Sequence, residues 1–334
     1  MNRREVLRLS GAGLVAGTMG VTLLSSRAAL AADFRSSDTH PPDYPTVKAV
    51  EEMGRLMKER SGGKMSLQVF HSAQLGEEKD TIEQTKIGAL QFNRVNMAPF
   101  NGIVPESGIP ALPFVFRSTQ HMRAVMDGKI GDEILAAFEP HGFIGLCFYD
   151  SGARSFYNRL RPIHTPADMK GMKIRVIQSD IFVALVQALG ANATPMPYGE
   201  VYTGLKTGVL DGAENNWPSY ESSHHYEVAK HYSLDQHSLS PEIFVMSKVA
   251  WDKLSSKEKE IVKSSAKDSV PYMRKLWDER EAKSQAIIRG AGCEIVEKID
   301  KKPFQEAMKP VYDRFVTSDK AKALVKRIQD VADA

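Results

Sequence analysis

The sequence predicts an exported α/β protein of two lobes, in which parallel sheets are covered by helices. Three observations carry that expectation. Strand-like and helix-like segments alternate along much of the chain, the pattern of parallel sheets with ligands at the carboxyl ends of their strands. The length, 334 residues, exceeds one ordinary domain even after an N-terminal segment is set aside, and suits two lobes. That segment reads as an export signal. Arg3 and Arg4 precede an apolar, small-residue run from Leu14 to Leu24, and Ala29-Leu30-Ala31 supplies a cleavage pattern.

The elements follow in order. Asp38 and His40, in Ser37-Asp38-Thr39-His40-Pro41, close a first strand. Val47, Val50, Met53, Leu56 and Met57 fall on one helical face, and Gly62-Gly63 stops that helix. Met65, Leu67 and Val69 alternate with polar residues as a strand does. A helix from Glu77 to Ile87 and a strand from Leu90 to Val95 come next, then a helix over Ile130–Phe138 and a strand over Phe143–Tyr149. A strand over Met172–Ile177 and a helix over Asp180–Leu189 continue the alternation. Lys257–Arg289 is charged and helix-favouring over an unusual length, and Pro271 within it predicts a kink. There is no internal repeat, low-complexity run or long linker.

Charge and cysteine usage narrow the function classes. The chain holds 44 basic and 41 acidic side chains; removing residues 1–31 takes away four arginines and one glutamate and leaves 40 of each. The basicity belongs to targeting, and no clustered cationic face points to nucleic acid. The apolar run is too short and too rich in glycine for a stable membrane span. The twin arginines suit the Tat route loosely, and Sec export fits as well. Gly11-Ala12-Gly13 and Gly17 imitate a dinucleotide loop but lack a preceding strand and leave with the signal. Cys147 and Cys293 are too few for a disulfide scaffold and are expected as unpaired thiols. His224 and His225 are adjacent, no metal spacing appears, and no nucleophile elbow, phosphate loop or kinase motif is present, so neither metal, cofactor nor catalytic residue is expected.

A few polar residues stand where apolar ones belong. Arg175 sits inside Ile174-Arg175-Val176-Ile177 with no acid in its immediate neighbourhood. A buried guanidinium needs an anion, and its planar fork matches a carboxylate, so the anion is either a ligand or a distant Asp or Glu. Arg154 follows an apolar strand at a glycine-containing bend, the kind of loop that carries binding groups. Arg94 and Asn96 share one face of an apolar strand, with Asn93 opposite. Glu77 and Glu78 open a helix, where acids also complement the helix dipole. Trp217 offers either a flat face to a sugar ring or a core packing residue.

The block from Thr165 to Trp217, with GMKIRV, GANATPMPYGEVYTGLKTGVLDG and the following Glu214-Asn215, resembles the solute-binding receptors of TRAP transporters. GGKMSLQVFHSAQLGEEKD and VMSKVAWDKLS extend the resemblance over nearly all the mature chain. It implies a periplasmic two-lobed binding fold with a ligand cleft between lobes and a long helix spanning both. Lobe 1 is then expected over 33–151 plus 241–280, and lobe 2 over 152–240 plus 281–334. It implies that Arg175 clamps a ligand carboxylate, helped by Arg154 and Asn215. Asn96, Glu77, Asp38 and His40 are expected to meet hydroxyls, with Arg94 beside them in the site, and Tyr198 to wall the ligand; Trp217, where this chain departs from the family pattern, is expected to help cover the ring. SDTHPPDYPTVKAVEEMGRL and DGAENNWPSYESS resemble the uronate-binding branch, which implies D-glucuronate or D-galacturonate as ligand, a TRAP permease as partner, and a monomer without enzymatic activity. Another organic acid as ligand, or an exported enzyme acting on a sugar acid, is the alternative.

Overall fold

Two sheets, of five and six strands, share the chain, and the chain passes between them more than once. The computed structural model describes residues 32–332; the expected export segment, 1–31, lies outside the described residues. The first half runs β1 (Ala32–Ser37), α1 (Pro45–Arg60), β2 (Met65–Phe70), α2 (Glu78–Lys86), β3 (Phe92–Asn96), α3 (Thr119–Met126), α4 (Lys129–Ala136), β4 (Phe143–Tyr149) and β5 (Arg154–Asn158). Next come β6 (Lys173–Val176), α5 (Asp180–Ala188), β7 (Asn192–Pro195), α6 (Val201–Thr207), β8 (Gly212–Asn215), α7 (Trp217–Ser222) and α8 (His225–Val228). The chain ends with β9 (His231–Ser238), β10 (Glu242–Ser247), α9 (Lys248–Trp251), α10 (Ser256–Gly290), β11 (Glu294–Val296), α11 (Lys302–Ala307), α12 (Lys309–Phe315) and α13 (Asp319–Asp330).

The first sheet has the order β2-β1-β3-β10-β4 and the second β11-β9-β5-β8-β6-β7. The expectation of purely parallel sheets needs correction at β10 and β5. β10 is antiparallel to β3 and β4, and β5 is antiparallel to β8 and β9. The reason is the crossing of the chain. β4 and β9 run toward the cleft and leave their sheets there, so β5 and β10 must enter the other sheet from its cleft end. Gly152, at φ +60°, makes the first crossing; a Cβ there would stand 3.0 Å from the Trp277 ring.

α1 begins with Pro45, which loses nothing by lacking an N–H at a helix start, and buries Val47, Val50, Met53 and Met57 against the first sheet and α10. α10 opens on a Ser255–Glu258 capping box and runs 35 residues, through Pro271. It packs on α1 and β4 of the first lobe and on α7 of the second. Arg280 on this helix pairs with Asp43 and with Glu221, one from each side. The helix therefore ties the lobes together while leaving the cleft between the two sheets. α13 lies against α4, where Arg327 pairs with Glu133. Cys147 and Cys293 are free thiols, the first buried and the second half-buried.

Candidate ligand-binding site

The strand ends that meet at the cleft carry the polar residues singled out in the sequence. β6 supplies Arg175, with Ile174 and Val176 buried on either side of it in the strand. Its Nε and Nη2 donate to the Met196 carbonyl at 2.9 and 2.7 Å. It is 3% exposed, and no carboxylate forms an ion pair with it among the described residues. Burial lowers its pKa from the usual guanidinium value, with Glu214 the main opposing influence. Arg175 is thus a desolvated cation whose protein partners leave its charge unmatched, the situation that calls for an anion.

Arg154, at the start of β5, stands differently. Its Nε donates to Glu214 Oε2 at 2.6 Å, its Nη2 to Glu214 Oε1 at 2.9 Å, and its Nη1 to Asn215 Oδ1 at 2.9 Å. Its charge is matched by Glu214, and four of its five N–H groups are taken by Glu214 and Asn215, leaving one on Nη1. Burial works against the Glu214 charge, but Arg154 and His237 outweigh it and hold its carboxyl down to about 2. His237, whose Nδ1 lies 2.8 Å from Asp235, is raised to about 9: burial opposes protonation, and Asp235 and Glu214 overcome it. This chain of alternating charges fixes Arg154 and, through it, Asn215. Asn215 Oδ1 also accepts from the Asn216 N–H at 2.9 Å, and its Nδ2 has no acceptor among the described residues.

The facing wall comes from the first lobe and is built on Arg94. Its guanidinium meets Asp38, Glu78 and Glu242, and Nη2 lies 2.9 Å from both Thr39 Oγ1 and His40 Nδ1. Burial alone would raise the Asp38 pKa, but Arg94 and His40 hold it well below the usual carboxylate range. Glu78 is pushed up to about 7 by burial and by Glu242, against the pull of Arg94. Glu78 Oε1 also accepts from the Asn96 N–H at 3.0 Å, and Asn96 Nδ2 donates toward Glu242 at 3.3 Å. Three carboxylates around one guanidinium leave this wall rich in acceptors. His40 stacks on Tyr44 with ring centres 3.8 Å apart and lines the cavity, with its Nδ1 held by Asp38 and Arg94. Burial, aided by the Arg94 charge, lowers its pKa and keeps it neutral.

Between the walls lies a narrow cavity of about 30 Å³. Seven of the ten expected residues line it: Arg175, Arg154, Asn215, Asn96, Arg94, His40 and Tyr198. Three do not. Asp38 sits behind Arg94, with both oxygens engaged by Arg94, Thr46 and His40. Trp217 is 5% exposed and packs edge-on against Tyr232 at 4.6 Å, in the core of the second lobe. Glu77 lines an adjoining chamber instead and bonds the Gly199 N–H at 3.1 Å. Glu78, Glu242, Ser151, Asn216 and Ser219 line the cavity and were not singled out. Glu78 had a signal, because it shares the inward helical face of Thr81, Ile82 and Thr85. Glu242 had none locally, since its partners Arg94 and Asn96 are far away in the chain. A wider groove lined by Lys79, Asp80, Glu83, Asp180, Ile109 and Phe315 carries three acids and one lysine but no arginine. Among the described residues no acid, histidine and cysteine cluster suits a metal ion.

Two lobes that enclose one unmatched guanidinium opposite a wall of acceptors define a solute-binding protein. The chain belongs to the DctP family, bacterial extracellular solute-binding protein family 7, whose model matches residues 36–319. A solute-binding protein of Chromohalobacter salexigens is 42% identical over 333 residues, covering 99% of each chain. A TRAP periplasmic solute-binding protein from Bradyrhizobium sp. BTAi1, solved in complex with α/β-D-galacturonate, is 59% identical with a TM-score of 0.88, covering 90% of this chain and 100% of the other. One from Roseobacter denitrificans, with bound β-D-glucuronate, is 42% identical with a TM-score of 0.88 and the same coverage.

Proposed function

We propose that this chain is the periplasmic receptor of a TRAP transporter and binds a hexuronate, D-galacturonate or D-glucuronate, releasing it unchanged to the permease. The observation that carries the reading is Arg175, buried without a carboxylate partner and facing a wall of hydroxyl acceptors. A uronate matches both ends: one carboxylate for Arg175 and the Asn215 amide, and ring hydroxyls for Glu78, Glu242, Asn96 and His40. A dicarboxylate would bring its second charge against Glu78 and Glu242. The relatives with bound galacturonate and glucuronate support the same class of ligand. The lobes take the limits 33–151 plus 241–280 and 152–240 plus 281–318, with α13 packed back on α4 of the first lobe, and the ligand favours the closed form because it touches both lobes. The receptor acts as a monomer after loss of residues 1–31.

Calorimetric titration of the mature protein with galacturonate, glucuronate, glucose, succinate and pyruvate tests the reading. Both uronates are expected to bind far more tightly than the rest, and NMR of the mixture to show no conversion. Tighter binding of succinate or pyruvate would refute the ligand class, and steady product formation would refute the receptor.

A further inference from the structure

Glu77 has no place in the ligand cavity, yet it spans the cleft. It caps the start of α2 on the first lobe, and its Oε1 accepts from the Gly199 N–H, on the turn before α6 of the second lobe, at 3.1 Å. Gly199 has no positive φ to explain a glycine there. What it does have is proximity: a Cβ at this position would stand 2.5 Å from Glu77 Oε1. Glycine is therefore what lets the carboxylate reach the amide. The other oxygen, Oε2, is buried without a hydrogen-bond partner, and Glu77 lines the chamber that adjoins the ligand cavity. Thr39 and Tyr198 border both spaces, so the Glu77–Gly199 contact stands at the rim between the ligand and the outer chamber. Tyr198, next to Gly199, is held by its hydroxyl to the Ser219 carbonyl at 3.0 Å, and its ring lies 5.6 Å from that of His40. Closing the latch thus sets the ring that walls off the ligand.

We propose that Glu77 and Gly199 form a cross-cleft latch that slows ligand release, Glu77 acting on the second lobe and not on the ligand. The inference rests on the reading of a cleft that closes around its ligand. Glu77 is a positioning residue in this role, and the contact exists only when the lobes meet. A hydrogen bond of this kind changes an equilibrium roughly three- to tenfold. The end of a flexible side chain yields easily, so an alanine at 199 pushes the carboxylate aside and breaks the same bond.

The test is a double-mutant cycle read by stopped-flow release of galacturonate, or of whichever acid binds the wild type. Glu77→Ala and Gly199→Ala are each expected to speed release roughly three- to tenfold, and the double variant no further than either single. Glu77→Gln keeps an acceptor oxygen and is expected to release near the wild-type rate. The ligand-free melting temperature of Gly199→Ala is expected to match the wild type, since the open form lacks the contact, whereas Glu77→Ala also loses the α2 cap and is expected to melt somewhat lower. Additive effects in the double variant, or unchanged release in both singles, would overturn the latch. A wild type that binds a different acid would bear on the ligand reading alone, because the cycle is then run with that acid.

Discussion

Replacing Arg175 with alanine removes the feature on which ligand recognition turns. The guanidinium keeps two N–H groups on the Met196 carbonyl and holds no carboxylate, so its charge is left for a ligand. Arg154 cannot replace the fork, because Glu214 matches its charge and only one N–H, on Nη1, is left over. Arg94, on the opposite wall, is already surrounded by Asp38, Glu78 and Glu242. Removing one partner of a charge-assisted pair in a desolvated cleft costs about 2–5 kcal/mol. At about 1.4 kcal/mol per tenfold, that is roughly a 30- to 4,000-fold loss of uronate affinity. The ligand-free protein behaves oppositely. It loses a buried charge without a counter-ion, so its melting temperature is expected to hold or rise. Arg175→Lys keeps the charge but not the fork, and is expected to bind poorly as well. Calorimetry on folded variants, paired with thermal melts, reads both effects. Affinity of Arg175→Ala within about threefold of wild type would refute the reasoning, since the least loss it allows is roughly tenfold larger.

Two other expectations separate scaffold from site. Trp217→Ala opens the core of the second lobe and is expected to cost about 3–5 kcal/mol in urea unfolding, while galacturonate affinity in the folded protein stays near wild type; a large affinity loss at intact stability would place Trp217 against the ligand. His237 has a folded pKa of about 9, above its ordinary 6.5, because Asp235 and Glu214 overcome burial. Its stabilisation is therefore full below 6.5 and is lost as pH rises through 9. Urea midpoints between about pH 6 and about pH 10 are expected to fall more steeply in wild type than in His237→Gln; parallel profiles would show that His237 is not charged in the fold.

Much of the fold was legible because periodicity is local. Of the expected stripe, Val47, Val50, Met53 and Met57 are buried and Leu56 half-buried, and the long charged helix is one element that continues past Pro271. The mixed direction of the sheets was not legible. β5, β8, β9 and β10 are short or irregular runs whose orientation follows from crossings between lobes, and no spacing within a strand records a crossing. The site divides in the same way. Arg175 and Asn96 were visible as polar residues in apolar strands, which any single segment displays. That Arg154 answers to Glu214, and Arg94 to Asp38, Glu78 and Glu242, depends on pairs brought together by the tertiary fold. Glu77 and Glu78 show the limit most clearly. One residue of helical phase sends Glu78 into the cavity and Glu77 across its rim to Gly199.

The most direct measurement is a crystal structure of the mature protein grown with D-galacturonate. The carboxylate is expected on Arg175 and the Asn215 amide, with ring hydroxyls on Glu78, Glu242, Asn96 and His40 and the Tyr198 ring closing the cavity. A carboxylate lodged instead against Arg94, or a uronate bound outside the cleft with Arg175 unoccupied, would contradict the assignment.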